Sequence, residues 1–225
     1  MKVKYFDLKN KRVFISGGGS GIGATIVEHF CEQHSEVYFI DINIKASKQL
    51  IKKIKKKSFR VPKFIECNVL DIKKLQNIIK DIISKKGPIH CLINSAANDD
   101  RHSTEQVDEK YWENRMGINL KHYFFAAQSV VKGMKKIKSG SIVNLSSVSW
   151  VLGEGDKVVY ETAKSAVIGL TRSFAQEFGK YNIRTNSVIP GSIATERQIK
   201  NWLTPRYKKL ILDSQALKRQ LKPED

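Results

Sequence analysis

Arg12-Val-Phe-Ile-Ser16 runs directly into Gly17-Gly-Gly-Ser20-Gly21-Ile22-Gly23, and a helix-period stretch from Ile22 to Cys31 follows. The apolar run reads as a buried strand, and the glycines as a turn whose backbone can approach a ligand without side chains intervening. Strand, glycine turn and helix N-terminus together seat a dinucleotide pyrophosphate, because amides and the positive end of the helix dipole meet the phosphate oxygens. The next strand candidate, Val37–Asp41, ends in a carboxylate placed to accept from adenosine ribose hydroxyls. Asp41 would repel a 2′-phosphate, so NAD is expected in preference to NADP. The segment Gly18 to Thr25 also has P-loop spacing, but Ala24 stands where the phosphate-clamping lysine belongs. A turn that binds nothing is the remaining alternative.

Outward from this stretch, apolar runs and helical patterns alternate. Strand candidates are Arg12–Ser16, Val37–Asp41, Lys63–Cys67, Ile89–Ser95, Ser141–Ser146 and Thr185–Ile189. Helical patterns fill Ile22 to Cys31, Ile44 to Lys57, Asp71 to Ser84, Asp108 to Ile137 and Val158 to Phe178, with Asp71 a candidate cap. Such alternation predicts an α/β fold, a doubly wound parallel sheet of the Rossmann type with six strands. No linker divides it, so residues 1–225 read as one dinucleotide-binding and catalytic domain. Two short helices, Glu196 to Leu203 and Arg206 to Leu217, are expected to form a substrate-side flap over residues 192–218.

The chain has 225 residues, 41% hydrophobic and 28% charged, enough for a buried core in one large domain. Its 40 Lys+Arg against 22 Asp+Glu give a formal +18. Much of the excess lies in Lys45 to Lys57, which reads as a solvated helix face; with no aromatic residues interleaved, a nucleic-acid partner is not expected. Cys31, Cys67 and Cys91 show no metal spacing, and no metal is expected. The N-terminus has no apolar signal region and no run approaches a membrane span, so a cytoplasmic protein is expected.

Tyr160-Glu-Thr-Ala-Lys164 places a phenol and an ammonium at i and i+4 on one helical face. A phenol accepts protons near neutral pH only if its pKa falls roughly three units from about 10, and the ammonium can help lower it. Ser147, at a strand end, can donate to the reacting oxygen. With Asn119 upstream and the glycine turn, these residues resemble the short-chain dehydrogenase/reductase family over nearly the whole chain. The resemblance implies that Tyr160 is the acid/base, that Lys164 tunes it and holds the nicotinamide ribose, and that Asn119 anchors a proton-relay water. It implies cofactor contacts from Gly17, Ser20, Gly21, Ile22, Gly23 and Asp41, from Asn68, Val69 and Asn94, and from Pro190, Gly191, Ile193 and Thr195.

Some positions depart from the family pattern. Asn68 stands for its aspartate, and Ala97 for a glycine beside the cofactor. The family also continues past Asp225 into a seventh strand that contributes to subunit contacts. The chain is therefore expected to be a C-terminally truncated fragment whose full-length form is a homo-oligomer, with Thr185–Ile189 an uncovered edge. The polar run Asn98-Asp-Asp100-Arg-His102, with Trp150 and Glu154, resembles aldose (D-galactose-type) 1-dehydrogenases of the family. The expected substrate is thus a sugar or polyol, with Asn98, Asp100, Trp150 and Glu154 contacting it. Alternatives are a 3-oxoacyl thioester reductase, which the +18 charge suits but Asp41 does not, and a catalytically silent nucleotide-binding fragment.

Overall fold

The computed structural model describes residues 3–225. The chain alternates β1 (Arg12–Ser16), α1 (Gly21–Glu32), β2 (Glu36–Asp41), α2 (Ile44–Lys56), β3 (Lys63–Glu66), α3 (Ile72–Lys86) and β4 (Cys91–Asn94). It continues through α4 (Glu109–Met116), α5 (His122–Ile137), β5 (Gly140–Leu145), α6 (Ser149–Leu152), α7 (Val158–Phe178), β6 (Ile183–Val188), α8 (Glu196–Asn201) and α9 (Pro205–Ser214). The strands form one parallel sheet in the order β3-β2-β1-β4-β5-β6. The order reverses between β1 and β4, so the loops leaving those two strands diverge and open a crevice at the carboxyl edge.

Two cores follow from the period-2 alternation of the strands. Val13 and Ile15 of β1 join Val37 and Phe39 of β2 on one face, packed under Val27, Leu50 and Ile54 of α1 and α2. Phe14, Tyr38 and Ile40 turn to the other face, against Leu75, Ile79, Val130 and Met134 of α3 and α5. Buried on both sides, the central strands read as continuous apolar runs. The lysines of α2 lie outside this packing, with Lys53 and the following Lys57 paired to Glu28 of α1. Asp71 caps α3 by accepting from the Lys74 amide at 2.9 Å, as its sequence position predicts.

Besides shifts of one to a few residues at element ends, the structure differs from the sequence expectation as follows. The single helix expected over Asp108–Ile137 is broken by one π-helical turn, Gly117–Lys121, that joins α4 to α5 and contains Asn119. An extra residue per turn costs regular hydrogen bonding and is typically found where a helix lines a site. A short helix, α6, follows β5 where the sequence predicts only a strand end. β6 begins at Ile183, ahead of the expected Thr185, and leaves Val188 and Ile189 half exposed at the sheet edge. Beyond α9 the chain returns to the sheet's carboxyl side, where Leu221 forms a single parallel bridge with Ile193.

Candidate active site

The crevice at the switch point widens into a cleft of about 740 Å³ that runs across the carboxyl ends of β2, β1, β4 and β5. One half is built from the glycine turn. Gly17 has φ +69°, and a Cβ there would lie 2.6 Å from the Ala96 Cα; a Cβ on Gly23 would lie 2.0 Å from the Gly17 carbonyl oxygen. The turn is therefore shaped as a backbone-only cradle. Gly17, Ser20, Ile22 and Gly23 line it, while Gly21 turns aside and packs on the Thr195 side chain. Asp41 lies beside the turn, its two carboxylate oxygens each accepting a backbone amide at 2.8 Å, from Gly19 and Asn43. A carboxylate has about four lone-pair positions, so two remain for a ribose diol. Asn68 and Val69 line the wall beyond Asp41, and Pro190, Gly191, Ile193 and Thr195 line the opposite wall.

Ser147, Tyr160 and Lys164 line the other half of the same cleft. Ser147 leaves the end of β5 and Tyr160 and Lys164 occupy the first two turns of α7, so neighbouring elements bring the three together. Ser147 Oγ lies 2.9 Å from Ser149 Oγ and accepts from the Ser149 amide at 3.2 Å. Burial pushes the Tyr160 phenol up to about 12; the Ser147 hydroxyl opposes this, Asp99 and Glu154 add to it, and Arg101 offsets them. Lys164 is almost fully buried and donates to the Tyr123 hydroxyl at 2.9 Å and the Leu145 carbonyl at 2.7 Å. Burial holds its ammonium down to about 7. The expectation that Lys164 depresses the Tyr160 pKa is thus corrected. Desolvation dominates both groups, and the amine lies 5.6 Å from the Tyr160 ring centre with two of its three donors engaged by Tyr123 and Leu145.

Residues 11–205 match the description "short chain dehydrogenase". The chain belongs to the short-chain dehydrogenase family. It is 39% identical to "Probable galactose dehydrogenase GalD" of Rhizobium meliloti (strain 1021), over 97% of this chain and 86% of that protein. It is 40% identical to D-xylose 1-dehydrogenase of Caulobacter vibrioides, over 98% of this chain and 87% of that one. The solved structure of Cj0485 dehydrogenase superposes with a TM-score of 0.86 at 26% identity, covering 97% of this chain and 85% of that one.

As a short-chain dehydrogenase the protein is an oxidoreductase, and its cleft departs from the sequence reading at four residues. Asn94 does not line the cleft: it is fully buried within the sheet, donating to Asn144 Oδ1 at 2.9 Å, because the side chain points across to β5. Asn119 is also buried. It accepts from the Asn98 amide at 2.8 Å and donates to the Asn98 carbonyl at 3.0 Å, so its side chain holds the loop after β4 and does not line the cleft. Asp100 is turned away from the cleft into a pair with Arg197 at 2.6 Å and Arg115 at 3.1 Å. Trp150 lies outside the lining, with its indole nitrogen buried and unpartnered among the described residues. Asn98 and Glu154 do line the cleft.

Further residues complete the substrate end of the cleft. Lys157, nearly fully buried, pairs with Glu154 and Asp156 at the substrate end, and Tyr207 of α9 lines the same region. Arg197 and Gln198 of α8 grip Asp99, the latter at 2.6 Å, and so tie the helical segment to the loop after β4. Tyr123 had a readable signal: it follows Asn119 at the i+4 spacing that links Tyr160 to Lys164. Among the described residues no group of His, Cys, Asp or Glu is placed to hold a metal ion, and no helix is long and apolar enough to cross a membrane.

Proposed function

We propose that the protein is an NAD-dependent aldose 1-dehydrogenase that oxidises the anomeric hydroxyl of a sugar to a lactone. The observation that carries this reading is one cleft lined by the glycine cradle and Asp41 at one end and by Ser147, Tyr160 and Lys164 at the other. NAD, held by the cradle and Asp41, supplies the hydride acceptor. Tyr160 takes the hydroxyl proton, and the Ser147 hydroxyl orients the substrate oxygen and stabilises charge that develops on it. Lys164, bonded to Tyr123 and the Leu145 carbonyl, lines the cleft beside Tyr160 and would hold the nicotinamide ribose.

The substrate end supports a polyhydroxylated ligand. Glu154, Lys157, Asp99 and Arg101 offer paired donors and acceptors there, and hydroxyl groups can exchange for both kinds of partner. The identity to a galactose and a xylose dehydrogenase over nearly the whole chain points the same way. The test is NADH absorbance with D-galactose, D-xylose, a polyol, a simple secondary alcohol and a 3-oxoacyl thioester, each with NAD and NADP. Faster turnover of an aldose with NAD than of any other pair supports the reading. Preference for the thioester with NADPH refutes it in favour of a reductase.

A further inference from the structure

We propose that His102 is a positioning residue for the reaction: from a loop distant in sequence, it caps the helix that carries Tyr160 and Lys164. The amides of a helix's first turn have no partner within the helix and need one from outside. The residue preceding α7, Lys157, makes no side-chain cap bond. Instead the Val159 amide, adjacent to Tyr160, donates to Nε2 of His102 at 3.3 Å. Ring and helix are further tied through the main chain, since the His102 amide donates to the Asp156 carbonyl at 2.8 Å and Arg101 pairs with the Asp156 carboxylate at 2.9 Å.

The chemistry of the ring supports this role. Nε2 can accept the Val159 proton only in a neutral imidazole whose hydrogen sits on Nδ1. Nδ1 faces two groups able to accept that hydrogen, the Tyr111 hydroxyl at 2.9 Å and the Asp100 carbonyl at 3.2 Å. The Tyr111 ring stands edge-on at 5.1 Å and holds the imidazole plane. Tyr111 and Asp100 thus select the tautomer, and the tautomer presents an acceptor to the catalytic helix. Loss of that acceptor frees the turn bearing Tyr160, and small misplacement of a reacting group is costly to rate.

This inference rests on the reading that Tyr160 is the acid/base, and the experiment separates the two. His102→Ala and His102→Gln are compared with the parent for kcat and for KM of NAD. The glutamine oxygen can accept from Val159, whereas alanine offers nothing. His102→Ala is expected to lower kcat about tenfold, the scale of a lost helix cap, with KM for NAD changed less than about twofold. His102→Gln should recover kcat to within about threefold of the parent. If the alanine variant fails to fold, His102→Asn replaces it, since its shorter amide places no acceptor at Val159. Equal kcat in the non-accepting and glutamine variants, or an unchanged kcat in both, overturns the proposal. Tyr160→Phe is the control: turnover surviving there overturns the assignment of Tyr160 alone, and the split between alanine and glutamine still decides His102.

Discussion

Acidification should destabilise this protein through His122, by an amount that follows from where the ring sits. His122 opens α5 just after the π-helical turn and is fully buried, its Nε2 lying 3.2 Å from Ser16 Oγ at the end of β1. Burial, and secondarily the Lys164 charge, push its pKa down from 6.5 to about 3, against a smaller opposing pull from the backbone of Gly117 and Ile118. Between those values the unfolded chain binds a proton that the folded chain refuses, so stability falls as pH falls through the window from 6.5 towards 3. Integrating that difference from neutral pH to about pH 4.5 gives a loss of about 2–3 kcal/mol, set against a typical 5–15 kcal/mol. Urea unfolding of the parent and of His122→Gln at both pH values isolates the effect, because glutamine fills most of the space and does not titrate. The parent should lose about 2–3 kcal/mol more than the variant on acidification, roughly 1 M in urea midpoint. Equal losses in the two proteins would show that the folded state accommodates the imidazolium, and would refute the reasoning. The outcome bears on the site as well, since Ser16 Oγ also accepts from the Ser95 and Ala96 amides beside the glycine turn.

Three further outcomes are expected. Tyr160→Phe should abolish turnover while NAD binding, followed by fluorescence titration, persists; Lys164→Ala should impair both. Asp41→Ala should raise the ratio of kcat/KM for NADP over NAD at least about tenfold by removing one repelling charge near the ribose, and a parent enzyme already preferring NADP would sink the argument. Arg197→Ala removes the bond of α8 to Asp100 and leaves Gln198 to hold Asp99 from α8. It should raise KM for the sugar several-fold with little change in melting temperature, because the pair is half exposed and contributes at most about 1 kcal/mol to stability. An unchanged sugar KM would mean that α8 holds its place without it.

Much of this architecture is legible in local pattern. The strand runs, the glycine turn and the helix periods depend on residues near one another in the chain, and each strand's burial on two faces leaves a continuous apolar run that can be read without coordinates. The same locality makes Asp41, Ser147, Tyr160 and Lys164 readable, since each is defined by a strand end or an i, i+4 spacing, and all four line the cleft. What pattern could not supply were contacts between distant segments. Asn94 reads as a cofactor ligand until β5 places Asn144 beside it; Asp100 reads as a sugar ligand until α8 brings Arg197 to it. The π-helical turn at Asn119 is a departure from regular hydrogen bonding that apolar periodicity does not register. The electrostatics were least accessible of all. Spacing alone predicts that Lys164 acidifies Tyr160, yet the sign of each shift is set by how completely the fold removes water and where Tyr123 and Leu145 direct the amine. Desolvation belongs to the packed molecule, because it sums over every atom that surrounds a group, and only the tertiary structure brings those atoms together.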